Sequence, residues 1–129
     1  MNYERIPVLK LGQFLLITIQ GSLEDRTALA LQEDLTRKVE STGARGVLID
    51  ISGLDLVDSF VGRMLYTVAA VMKIMDTETV VVGMQPAVAM TLVELGLTLK
   101  GALTATDVDR GMELLQRRLL SRTRNIARY

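Results

Sequence analysis

The sequence predicts an α/β fold: a mixed sheet, mostly parallel after an N-terminal hairpin, carrying four helices. Three observations point there. The chain has 129 residues, enough for one hydrophobic core and too few for two. Strand-like and helix-like stretches alternate in the order β-β-α-β-α-β-α-β-α, the pattern of an open sheet with helices packed on it. The run GVLIDI, from Gly46 to Ile51, is short and apolar, as strands buried on both faces are.

Val8 to Leu11 and Phe14 to Ile19 read as an antiparallel pair joined through Gly12 and Gln13. After Gly21 the spacing changes to Ala28, Leu31, Leu35 and Val39, a single helical stripe. Glu24, Asp25, Glu33 and Asp34 stand early in it and Arg37 and Lys38 late, as the helix dipole favours. Ser22 and Asp25 resemble a capping box, and Gly43 ends the helix. The strand Gly46 to Ile51 follows, then the loop SGLDLVD and a long helix from about Ser59 to Met75. TVVVGM gives the next strand, Pro86 opens a helix at its first-turn position, and Gly96 closes it. Ala102 to Ala105 form a last short strand before a helix from Asp107 to about Ser121. The connections are short and nothing repeats, so residues 1–121 read as one domain and 122–129 as a basic C-terminal tail.

Composition excludes much chemistry. The chain has no Cys and no His, which removes disulfides, thiolate nucleophiles, Cys/His zinc sites and imidazole bases. No glycine pair is spaced G-x-G and no G-x-x-x-x-G-K-[ST] occurs, so the common nucleotide-binding loops are absent. Fifteen bases against fifteen acids leave no positive field to gather phosphates, which disfavours nucleic acid. Glu4, Lys10 and Gln13 interrupt any secretory signal, and the longest uncharged run, Thr79 to Val93, is too short to span a membrane. A cytoplasmic protein is expected. A mean hydropathy of +0.29 at zero net charge points to self-association. All fifteen acids lie before residue 117 against ten bases there, about −5, while the last thirteen residues hold five arginines: Arg117, Arg118, Arg122, Arg124 and Arg128.

Two groups of residues suggest function. Asp50, Asp55 and Asp58 cluster at the end of the central strand, where open α/β sheets favour ligands; they read either as a magnesium-assisted phosphoryl-transfer site or as ordinary turn acids. Ser59 stands where that loop meets the next helix, and it reads either as a helix cap or as a modified residue. On a helical wheel Ser59, Arg63, Tyr66, Thr67 and Ala70 share one face, opposite a core face of Val61, Met64, Leu65, Val68, Met72 and Met75. The first face has few charges and an interface-like composition, with Phe60 either part of it or buried against the sheet. A phosphate on Ser59 would add about −1.5 to −2 charges beside Asp55 and Asp58, enough to repel a docked partner. The seven methionines read as packing.

The residues GVLIDISGLDLVDSFVGRML, with the β-β-α-β-α opening and TVVVGMQPAVAMTLVELGL downstream, resemble STAS domains of the anti-sigma-factor antagonist type over nearly the whole chain. The D-x-S-x-L-x-x-x-D-S loop ends on a serine that resembles the family's phosphoacceptor; here it is Ser59, preceded by Asp58. The family often carries a small residue next, whereas this chain has Phe60 and reads D-S-F-V-G-R. That variant, in a short chain expected to lack an N-terminal sensor domain, is similar to the small scaffold proteins of bacterial stressosomes. The resemblance implies a STAS-like fold and a negative regulator of a general stress response. Its implied partners are RsbR-type STAS paralogues, an RsbT-type switch kinase held until Ser59 is phosphorylated, and a cognate phosphatase. The residues expected to meet the partner are Asp55, Val57, Asp58, Phe60, Arg63 and Tyr66; no cofactor or metal is expected. The alternatives are a stand-alone antagonist that binds an anti-sigma kinase directly and, in another class, a small Asp- and magnesium-dependent enzyme.

Overall fold

A computed structural model describes residues 5–97 and 99–127, with side chains through Arg122, so that Glu4 and Arg128 lie outside the described residues. Strands β1 (Leu9–Leu11), β2 (Phe14–Gly21), β3 (Gly46–Leu54), β4 (Glu78–Val82) and β5 (Ala102–Ala105) form one sheet in sequence order. β1 and β2 are antiparallel, and every later pair is parallel. The helices are α1 (Asp25–Thr42), α2 (Ser59–Ile74), α3 (Pro86–Glu94) and α4 (Val108–Ala127).

The strand order explains where the helices sit. Three successive right-handed crossovers that step in one direction across a sheet place α1, α2 and α3 on the same face. Leu15, Ile17 and Ile19 of β2, Val47, Ile49 and Ile51 of β3, and Val81 of β4 point into that layer, where they meet Leu31, Leu35, Val61, Leu65, Val68, Val88 and Leu92. The alternate positions Phe14, Leu48, Val80 and Val82 face the other way and pack with Leu115 of α4. Runs such as GVLI and TVVV are apolar without alternation because both faces are covered.

Several ends differ from the sequence reading. The capping box is not formed: Glu24 takes the N-cap of α1 without a side-chain hydrogen bond, which leaves Ser22 two residues upstream. β3 continues past Ile51 to Leu54, because an irregularity in register opposite Thr18 to Gln20 lets Gly53 and Leu54 go on pairing with Gln20 and Gly21. α3 stops as expected at Gly96, whose φ of +69° lets its N–H reach the Val93 carbonyl while Leu97 N–H reaches that of Leu92. α4 starts under an Asp107 cap, whose carboxylate accepts the Arg110 N–H at 2.8 Å, and runs to Ala127, beyond the Ser121 expected from the pattern. Arg118 and Arg122 pair with Glu78 and Asp76 at the α2–β4 turn, which ties this end of α4 down. No described helix is long and apolar enough to cross a membrane.

Candidate functional site

The loop from β3 to α2 emerges at the carboxyl end of the parallel strands and is anchored on both sides. The Asp55 N–H donates to the Gly21 carbonyl at 3.0 Å, and the Gln85 side-chain amide donates to the Ser52 carbonyl at 2.8 Å. Leu54 is fully buried, and Val57 packs half-buried against the three-helix core. Leu56 between them is 71% exposed.

Asp58 caps α2. Its backbone is extended, its carboxylate accepts the Val61 N–H at 2.9 Å, and its carbonyl accepts the Gly62 N–H at 3.0 Å. This corrects the capping reading of Ser59, which stands one place later at the first helical position. Asp and Ser are equally good caps, so the residue that reaches the extended position first takes the role. Ser59 is exposed, and among the described residues its hydroxyl has no hydrogen-bond partner.

The helical-wheel assignment for α2 matches the observed burial. Val61, Met64, Leu65, Val68 and Met72 are buried, Met75 is half-buried, Ser59, Arg63, Tyr66 and Thr67 are exposed, and Ala70 is half-buried. Asp55, Asp58, Arg63 and Tyr66 therefore share solvent-facing ground with Ser59, whereas Val57 and Phe60 turn partly inward against the core. Among the described residues Asp55, Asp58 and Arg63 enter no ion pair.

The three aspartates are not gathered around a common point. Asp50 Oδ1 accepts from the Ser52 N–H at 3.0 Å and the Ser52 hydroxyl at 2.7 Å, while Asp58 is engaged in its cap. No group of three or more His, Cys, Asp or Glu among the described residues could hold a metal ion.

The structure adds a neighbour that periodicity did not reveal. A β-carbon built on Gly62 would lie 2.8 Å from Leu97 Cδ1, 3.2 Å from Leu92 Cδ2 and 3.7 Å from Leu95 Cδ1, so the end of α3 abuts α2 within a turn of Ser59 and Tyr66. Leu95 remains exposed there, and Met90 and Val93 of α3 are exposed elsewhere along that helix. The available signal was Gly62 itself, a residue without a side chain inside a helix, which allows close approach of a neighbour. A groove of about 420 Å³ between α1 and α2 begins farther along, at Thr67, and is lined by Leu35, Val68, Val71 and Met72. Ser59 thus lies on open surface away from that groove.

A mixed five-stranded sheet with a capped, serine-bearing helix at its carboxyl end is the architecture of a STAS domain, and residues 5–111 match the STAS domain family model. The chain belongs to that family. It is similar to a serine-to-glutamate variant of RsbS from Moorella thermoacetica, with 31% identity and a TM-score of 0.78 over 96% of this chain and 98% of that one. A chain from a structure of the molecular architecture of the stressosome, a signal integration and transduction hub, is 33% identical, with a TM-score of 0.76 over 86% of this chain and 96% of that chain. The RsbT co-antagonist protein RsbRA of Bacillus subtilis (strain 168) is 26% identical over 105 residues, which are 78% of this chain and 38% of that protein. The chain thus spans little more than a third of that curated relative's length.

Proposed function

We propose that this protein is a stressosome scaffold subunit and negative regulator of a general stress response, which sequesters an RsbT-type serine/threonine kinase until Ser59 is phosphorylated. It acts by binding rather than catalysis, in the cytoplasm, co-assembled with copies of itself and RsbR-type paralogues, and a cognate phosphatase resets it. The carrying observation is Ser59: an exposed, unbonded hydroxyl at the first turn of a helix whose outer face is weakly charged, in a chain similar to RsbS. In the modifying step the Ser59 oxygen attacks the γ-phosphorus of ATP, its proton passes to a base on the kinase, and ADP leaves. The added charge then lies beside Asp55 and Asp58 in what had been a desolvated contact, at a cost on the order of 2 to 5 kcal/mol to binding.

Incubation with an RsbT-type kinase and magnesium-ATP, followed by mass spectrometry, tests this reading. The phosphate should appear on Ser59 and not on Ser52 or Thr67. Ser59→Ala should stay folded and retain the kinase, while Ser59→Asp should weaken retention, though less than phosphate because it supplies one charge and different oxygen geometry. Label elsewhere, or undiminished kinase binding by Ser59→Asp, would overturn it. Retention of an anti-sigma kinase in place of the RsbT-type kinase would favour a stand-alone antagonist.

A further inference from the structure

Adjacent Asp58 and Ser59 compete for one role. Either side chain can accept a backbone N–H at the start of α2, and the one that does so loses the use of a lone pair and is drawn against the helix end. The structure gives the bond to Asp58, and Ser59 is left exposed with its hydroxyl unengaged. The segment has little freedom on either side. Upstream, Asp55 is held to Gly21 and Leu54 is buried; downstream, Val61 is buried and Gly62 is pressed against Leu97. A change in capping is therefore confined to the five residues 56–60, among which Asp58 and Ser59 are the cap formers.

We propose that Asp58 is a positioning residue for the modification of Ser59. By occupying the N-cap it holds Ser59 at the first helical position with its hydroxyl free. When that cap is lost, the helix start slips by one residue and Ser59 becomes the cap, its oxygen turned to the Gly62 N–H and a poorer nucleophile. The functional half of this inference rests on Ser59 being the phosphoacceptor proposed above; the structural half does not.

Wild type, Asp58→Asn and Asp58→Ala would be compared in two measurements. One is the rate of phosphate incorporation with the RsbT-type kinase and magnesium-ATP. The other, without kinase, is the set of backbone and Cβ chemical shifts of residues 57–63. Asn caps as well as Asp but carries no charge, so Asp58→Asn should be labelled within about twofold of wild type and keep helical shifts at Ser59. Asp58→Ala should be labelled about 3- to 30-fold more slowly, with Ser59 moved to extended, cap-like shifts. The inference is overturned if Ser59 stays helical in Asp58→Ala, if that variant is labelled at the wild-type rate, or if Asp58→Asn is slowed as much as Asp58→Ala, which would make the charge the determinant. If wild type takes no phosphate on Ser59, the proposed function fails, and the chemical shifts alone then uphold or overturn the capping exchange.

Discussion

Gly83 presses on Ser52: a β-carbon built on the glycine would stand 2.6 Å from the serine Cβ and 3.1 Å from its Cα and backbone nitrogen. The end of β4 therefore closes directly on the end of β3, seven residues before Ser59. Gly83 also has a φ of +73°, which side-chain-bearing residues rarely adopt. Gly83→Ala combines backbone strain with a clash against main-chain atoms that cannot rotate away. A loss of about 2 to 4 kcal/mol in chemical denaturation is expected. A loss below about 1 kcal/mol would mean that this end of the sheet yields easily.

Ser59→Ala should leave stability nearly unchanged, since the cap belongs to Asp58. Asp58→Ala should lose only part of the about 0.5 to 2 kcal/mol that a cap is worth, since Ser59 then takes the cap over, and Asp58→Asn should lose a few tenths at most. Thermal melts of the three variants decide the matter; a larger loss for Ser59→Ala than for Asp58→Ala would contradict the capping geometry.

Thr79 has 1% of its surface exposed, and among the described residues its Oγ1 is the buried side-chain oxygen without a hydrogen-bond partner. It sits in register with Val47 of the central strand, among aliphatic neighbours. Thr79→Val keeps the shape and removes the unsatisfied oxygen, so a gain of about 1 kcal/mol is expected. Equilibrium denaturation showing a loss instead would reveal a partner for that hydroxyl.

Glu78 forms ion pairs with Arg118, Nε to Oε1 at 3.6 Å, and Arg122, Nη1 to Oε1 at 3.9 Å, and Arg122 also pairs with Asp76. Asp76 closes α2 at a φ of +59°, an unusual conformation for a residue other than glycine. Because these pairs are partly exposed, Glu78→Gln should cost only about 0.5 to 1 kcal/mol at low salt, and the cost should shrink at high salt. A salt-independent penalty would show that burial, not charge, dominates at this turn.

The order and type of the elements were legible because burial on both faces leaves apolar runs such as GVLI, while burial on one side of a helix leaves stripes such as Leu31, Leu35 and Val39. The ends were less so. Whether Ser59 or Asp58 caps α2 depends on which of them takes the extended backbone, and two adjacent cap formers look alike in a sequence. Ser22 failed as a cap for the same reason, its position being set by where β2 releases the chain. The α2 wheel separated Arg63 and Tyr66 from the core correctly, yet periodicity within one helix says nothing of its neighbour. Leu95 near Gly62 comes from how α3 meets α2, and the inward lean of Val57 and Phe60 from their packing against the three-helix core.

The two sides of the sheet are insulated unequally. Three helices share one side, whereas among the described residues the opposite side is covered by α4 alone. That lid seats so closely that a β-carbon on Gly111 would lie 2.7 Å from Leu48 Cδ2 and 2.8 Å from Val82 Cγ1. Lifting α4 bares Phe14, Leu48, Val80 and Val82 together, a continuous greasy strip across β2, β3 and β4. A bared strip of that kind is the surface on which exchange of α4 between two copies would begin, so a variant that loosens α4 is expected to form swapped dimers, which size-exclusion chromatography would detect.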